Sequence, residues 1–238
     1  MAVSAGPDIV ESSLLLFLDA GNRKSYPGTG TAWIDISGAG NVGSFVNGVT
    51  FDKSYGGNIA YDGADEAVTV PMTNLRPTSQ ITQECWFSIY EQRAQIFIGS
   101  QRGDGFDNSY ALWLNGTNTL AAGINPGGPT AGINLNYQTY SYTLTTNRYY
   151  HYAHTYDGTT QSIYVDGDMV YSWGTTGSIF YDTNNTLLTV GNDWCCGYQG
   201  TLGSGIRGNL PIVRIYNRAL NAFEIKQNYT ATRKRFDL

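Results

Sequence analysis

The chain has 238 residues, with 14 Lys and Arg against 19 Asp and Glu. The resulting formal net charge of -5 argues against a general nucleic-acid binder, which depends on clustered cations. Only 14% of residues are charged while 13% are aromatic, and 29 Gly and 18 Tyr accompany 3 Met, a profile of strands and tight turns rather than helices.

This length is ample for one large β domain, and no apolar run approaches the roughly 20 residues of a membrane span. The start, Met1 to Asp8, lacks the basic-then-apolar order of a secretory signal. Residues 1–12 read as a short leader, and 13–238 as a single domain.

The first predicted strand is Ser13 to Ala20, apolar on both sides and so covered on both faces. A long turn-rich segment, Asn22 to Gly43, follows, and Ile59 to Val70, around Tyr61-Asp62-Gly63, resembles a strand pair of the family named below. Ile81 to Tyr90 is a central strand, with Ile81, Cys85, Phe87 and Ile89 on one face and Glu84, Trp86 and Ser88 on the other. Further strands are expected at Ala94 to Gly99, Tyr110 to Leu114, Leu120 to Ile124, Tyr137 to Leu144 and Leu187 to Gly191, separated by Gly, Asn and Pro clusters. Between the last two, Tyr149 to Tyr171 carries two Asp-Gly turns, at Asp157-Gly158 and Asp166-Gly167, bracketing a short strand, which is a three-strand meander written locally. Spacing of this kind points to a β-sandwich or jelly roll. The last sixth changes character: Gly208 to Leu220 is a strand leading into a helix from Ala222 to about Thr230, with Asn221-x-x-Glu224 as a capping-box start.

Several motifs, in order, resemble one family. Tyr156-Asp157-Gly158 followed by Tyr164-Val165-Asp166-Gly167, preceded by Tyr150-His151, is similar to the hallmark of LamG-like (concanavalin A-like) jelly-roll domains. Leu18-Asp19-Ala20, Ser25-Tyr26-Pro27-Gly28-Thr29-Gly30 and Trp33-Ile34-Asp35-Ile36-Ser37-Gly38 resemble the N-terminal half of such domains in structural proteins of tailed bacteriophages, notably of marine cyanobacteria. Val213-Arg214-Ile215-Tyr216-Asn217-Arg218-Ala219-Leu220 is close to the family's C-terminal signature, and the ending Gln227 to Phe236 to that of the phage versions. The resemblance implies an all-β concanavalin A-like jelly-roll sandwich with a short C-terminal helix. It also implies a non-enzymatic virion structural protein at the virion surface, as capsid decoration or tail-fibre tip, with other virion proteins and host surface glycans as partners. The alternatives are a free carbohydrate-binding module or lectin-like adhesin and, third, a glycan hydrolase. A lone head domain on a symmetric particle is expected to form a homotrimer.

Retaining glycosidases need two carboxyl groups about 5 to 5.5 Å apart, supplied in this family's glucanases by alternate residues of one strand. The flanking positions of Glu84 are Thr82 and Trp86, so no paired acid faces the same way, and Asp166 and Asp168 are explained by a hairpin turn. His151 and His154, three apart in a strand, point to opposite faces and do not share an ion. Nothing resembles a nucleophile elbow. Cys85, Cys195 and Cys196 have no metal-ligand spacing and are expected to be unbridged. Arg233-Lys234-Arg235 reads as the solvated end of the terminal helix.

Many LamG-like domains bind calcium at one rim of the sandwich, and the resemblance makes calcium the cofactor to consider, with Asp62, Asp65, Asp104, Asp107 and Asp193 as oxygen ligands. Where the family carries an acidic pair before Val-Arg-Ile-Tyr, this chain has Leu210-Pro211-Ile212, which weakens any site depending on those acids. Sugar rings pack on aromatic faces while amides bind their hydroxyls, so the loops holding Phe106, Asn108, Asn192, Trp194 and Tyr198 are the expected carbohydrate site. Tyr140 and Tyr142 on one face, and Trp173, are the other exposed-aromatic candidates.

Overall fold

The computed structural model describes residues 8–100, 109–127, 135–181, 185–192 and 205–238. In chain order the strands are β1 (Leu14–Asp19), β2 (Ala32–Ile34), β3 (Val42–Val46), β4 (Thr50–Asp52), β5 (Asn58–Asp62), β6 (Ala67–Pro71), β7 (Ile81–Ile89) and β8 (Ala94–Ser100). They continue with β9 (Tyr110–Asn115), β10 (Thr119–Ile124), β11 (Asn136–Ser141), β12 (Tyr150–Tyr156), β13 (Thr160–Val165), β14 (Asp168–Gly174), β15 (Leu187–Val190) and β16 (Arg207–Tyr216), before helix α1 (Ala222–Thr232) and a 3-10 turn, Arg233–Phe236.

These strands form two antiparallel sheets. One runs β14-β13-β12-β7-β16-β5-β4, with β1 also on β16, and the other β11-β10-β9-β8-β15-β6-β3-β2. Non-consecutive neighbours such as β7 and β16 are what a jelly roll requires, and the expected sandwich is the observed one. Phe87, Phe97, Tyr152, Leu16, Ile59 and Leu210 lie in the core between the sheets. Among the described residues no helix is long and apolar enough to cross a membrane.

Strand β7 is buried at all nine positions because both its faces are covered. Cys85, Phe87 and Ile89 join the inter-sheet core, while Trp86 packs with Tyr149, Ile212 and Phe236 beneath the C-terminal elements. Helix α1 starts where the capping box places it: Asn221 accepts from the Glu224 N–H at 3.0 Å, and Glu224 accepts from the Asn221 N–H at 3.0 Å. The chain before β1 is tied to this helix, since Val10 donates to Asn228 at 2.8 Å and accepts from the Tyr216 hydroxyl at 3.0 Å.

The second Asp-Gly turn has Asp166 at φ 51° and Gly167 at φ 82°, the left-handed pair that a tight hairpin needs. Asp166 also accepts from the His151 N–H and from Arg148, tying the turn to β12. The Trp33-to-Gly38 motif is likewise a structural device. Buried Asp35 accepts from the Phe17 and Ser37 N–H groups, both at 2.8 Å, and from the Asn41 amide at 2.7 Å, pinning the loop to β1.

The turn-rich segment Asn22 to Gly43 contains β2 and the start of β3. They are short strands, β2 at the edge of its sheet and β3 next to it, and rest on backbone ladders, with no side-chain alternation long enough to read. Cys85 is a buried free thiol, while Cys195 and Cys196 lie outside the described residues.

Candidate functional site

The two sheets close on each other at one side, where their edge strands β11 and β14 approach. A bulge in the β13–β14 pairing, between Ile163 and Tyr164, resets which residues of β14 face this seam. Tyr171 stacks on Tyr140 of β11, with ring centres 5.9 Å apart, and on Trp173 at 5.8 Å. Tyr171 remains 37% exposed. Tyr140 and Trp173, singled out separately in the sequence, are thus brought together by a residue the sequence reading passed over. Tyr142 diverges: β11 ends at Ser141, and Tyr142 meets Tyr150 edge-on at 6.1 Å.

Behind the rings runs a directed hydrogen-bond chain. Gln83 Nε2 donates to His154 Nδ1 at 3.0 Å, which sets the tautomer, and His154 Nε2 donates to Gln161 Oε1 at 2.9 Å. The Gln161 amide then donates to the Asn136 carbonyl at 3.0 Å and to Thr175 at 2.8 Å. Asn136 Oδ1 also accepts from Trp173 Nε1 at 3.1 Å and from Thr175 at 3.0 Å. Such a chain fixes Trp173 and Asn136 at the seam, and leaves the buried Gln83 Oε1 without a partner at its inner end. Burial drives the His154 pKa down to about 3, so the imidazole is neutral at ordinary pH.

The rim expected to bind calcium and sugar is described in part. Asp62, Asp65 and Asn192 lie within the described residues; Asp104, Asp107, Asp193, Phe106, Asn108, Trp194 and Tyr198 lie outside them. Asp62 is hydrogen-bonded to Glu66, a residue the sequence reading did not single out. That bond lowers the Asp62 pKa, while burial raises that of Glu66. Asp65 is exposed, and its backbone carbonyl accepts from Asn47 at 3.2 Å. Asn192 is buried and donates to the Glu66 carbonyl at 3.2 Å, so its amide holds the turn. Arg93 spans the same turn, donating to the Gly63 and Gly205 carbonyls at 3.0 and 2.7 Å, and pairs with Glu91. Among the described residues, no three His, Cys, Asp or Glu side chains gather as a metal site.

Glu84 and the histidines occupy structural positions. Glu84 lies under α1, paired with Arg214 and accepting from the Asn228 amide at 3.1 and 3.2 Å. Burial alone would raise its pKa; the Arg214 charge overrides this and holds it at about 2. His151 is on the helix side, 3.5 Å from Glu84, while His154 is in the seam network, so the two point apart as strand geometry requires. Arg235 corrects the reading of a solvated basic end. It pairs with Asp19 at 2.5 Å and donates to the Tyr55 and Gly57 carbonyls, because the 3-10 turn folds the terminus back over β1.

Residues 62–226 match the model of the laminin G type family described as the concanavalin A-like lectin/glucanases superfamily. The chain belongs to that superfamily. The match takes in the meander, the seam and the capping box, so the LamG-like resemblance holds at this level. No curated protein matches the sequence.

Solved structures of like fold include Trypanosoma rangeli sialidase in complex with sialic acid, at 16% identity and TM-score 0.67, covering 99% of this chain and 36% of that one. They also include the receptor binding domain of the botulinum neurotoxin C/D mosaic serotype, at 12% identity and TM-score 0.69, covering 92% of this chain and 51% of that one. This member of the superfamily therefore spans only 36% of the sialidase chain and 51% of the toxin domain, and at such identity the likeness is one of fold.

These neighbours overturn the expectation of a non-enzymatic phage virion protein, since the fold is shared with sialidases, which are enzymes, and with a toxin receptor-binding domain. The physical reason lies in the motifs. Asp166-Gly167 is a hairpin turn and Asp35 a loop anchor, so they report the sandwich and not the particle that carries it. Paired acids on alternate residues of one strand likewise serve a single chemistry.

Proposed function

We propose that the domain is a glycan-recognition module of the lectin type. The observation that carries this reading is the β11–β14 seam. There an exposed Tyr171 extends a row of aromatic rings, and the amides of Asn136 and Gln161 are locked behind it. An aromatic face with polar groups fixed alongside suits the C–H face and hydroxyls of a sugar. The superfamily description and the neighbours support it, one being a sialidase bound to sialic acid and another a receptor-binding domain. A shallow site of this type binds a sugar with Kd of order 1 mM, and multivalent display raises avidity by roughly 10² to 10⁴. The phage-type lineage remains a resemblance of the two chain ends and does not enter the proposal.

The test is a glycan array probed with biotinylated protein multimerised on streptavidin. Wild type is expected to bind a subset of glycans, and Tyr171→Ala to lose them with its thermal transition unchanged, because the ring is exposed. Trp194→Ala on the same array examines the rim loops. Wild-type binding that survives Tyr171→Ala would remove the seam from the proposal, and a blank wild-type array would remove the function.

A further inference from the structure

A groove lies between the turn after β1 and the β4 end of the same sheet, about 290 Å³ in volume, the size of one sugar residue with its substituents. We infer that this groove takes a carboxylate-bearing sugar residue. The inference rests on the glycan-recognition reading and adds a second, charge-selective subsite to it.

Local geometry builds the groove. Asn22 accepts from the Lys24 N–H through its side chain, and its carbonyl accepts from the Ser25 and Tyr26 N–H groups at 2.8 Å, turning the chain sharply after β1. The Tyr26 hydroxyl donates to the Gly30 carbonyl at 2.8 Å and so holds the Pro27-Gly28-Thr29 bend as one wall. Tyr26 and Phe51 form the aromatic floor, their rings tilted with centres 5.2 Å apart. Gly28, at φ 94°, adopts a conformation that favours glycine, and a Cβ there would sit 3.4 Å from the Phe51 ring. Its absence leaves that ring edge open to a ligand.

Charge then selects the ligand. Arg23 and Lys53 line the groove from two separate loops, both are exposed, and neither has an ion-pair partner among the described residues. The nearby acids are already engaged: Asp19 is held by Arg235, and the Asp52 carboxylate accepts from the Ser54 N–H and hydroxyl. In a chain of net charge -5, two unpaired cations over an aromatic floor form a local anion site. A guanidinium matches a carboxylate with two parallel hydrogen bonds, the ammonium adds a point charge, and the floor takes the sugar's C–H face.

Titration of 3′-sialyllactose against the protein by NMR or calorimetry, with lactose as the neutral control, tests the inference. Wild type is expected to prefer the acidic sugar about tenfold, and the Arg23→Ala/Lys53→Ala double variant to lose that preference, about 1.4 kcal/mol, at unchanged thermal stability. Raising salt from 50 to 300 mM should weaken the acidic sugar and leave lactose unaffected. Undiminished 3′-sialyllactose binding by the double variant, or equal wild-type binding of lactose, overturns the groove while leaving the module reading in place. Loss of all binding in Tyr171→Ala with the preference intact in the groove variant likewise assigns the ligand to the seam alone and overturns the groove. Absence of any binding by wild type overturns both.

Discussion

The Glu84 carboxylate and the Arg214 guanidinium meet at 2.5 Å in a space sealed from solvent on both sides of the pair. Strand pairing places them on adjacent strands, β7 and β16, directly opposite in register, and α1 closes over them. The Phe17 ring, 4.6 Å away, covers the guanidinium face, and Asn228 completes the carboxylate's shell. Separating this pair leaves a buried charge uncompensated, so Glu84→Gln is expected to destabilise the fold by about 3–5 kcal/mol in urea unfolding. The double variant Glu84→Leu/Arg214→Met should be less destabilised than the single one. A single variant within about 1 kcal/mol of wild type would show that Arg214 finds other solvation.

Two fully buried groups contribute strongly to the acid limb of stability, and their signs agree. Glu84 is depressed from 4.5 to about 2, so its contribution is complete above the ordinary carboxylate value and is lost as pH falls toward 2. His154 is depressed from 6.5 to about 3, so the unfolded chain takes up a proton that the folded one refuses, and stability falls as pH drops from about 6.5 toward 3. The expected slope in that upper window is about 1.4 kcal/mol per pH unit from the one histidine. His154→Gln should flatten the curve between pH 6.5 and 4.5, measured by urea midpoints at each pH, and below pH 4.5 leave only the slope due to Glu84. An unchanged slope would mean the seam network opens to water.

Gly167 meets two demands at once. It sits at φ 82°, and a Cβ would lie 2.7 Å from Lys226 Cδ and 2.9 Å from Tyr229 Cβ on α1. Gly167→Ala is expected to cost roughly 1–3 kcal/mol and to loosen the helix, seen as faster amide exchange across α1. Gly174→Ala, at a position with nothing within 4 Å, is the control and should be neutral within about 0.5 kcal/mol.

Cys85 faces the inter-sheet core, and burial raises its thiol pKa well above the ordinary value. Native protein should therefore resist iodoacetamide at Cys85 for as long as the sandwich stays closed, with alkylation appearing in parallel with urea unfolding when followed by peptide mass mapping. Labelling of Cys85 in the native state would place an opening motion in β7.

The sandwich, the meander and the helix start are legible in the residues alone, because each rests on local physics: alternation of side chains, Asp-Gly turns at positive φ, and an Asn-x-x-Glu cap. Strands β2 and β3 were not legible, since a three-residue edge strand such as Ala32–Ile34 is held by its ladder and not by a side-chain pattern. Which residues meet depends on the folded sheets. Tyr140 and Tyr171 lie on edge strands of opposite sheets and touch because the sandwich closes there, and Glu84 finds Arg214 130 positions along the chain. Arg23 and Lys53 look like ordinary solvated cations in the sequence, and become lips of one groove only when the turn after β1 is laid beside the end of β4. Long-range juxtaposition carries no local signal, because it is set by strand order, and strand order follows from burying two sheets against each other.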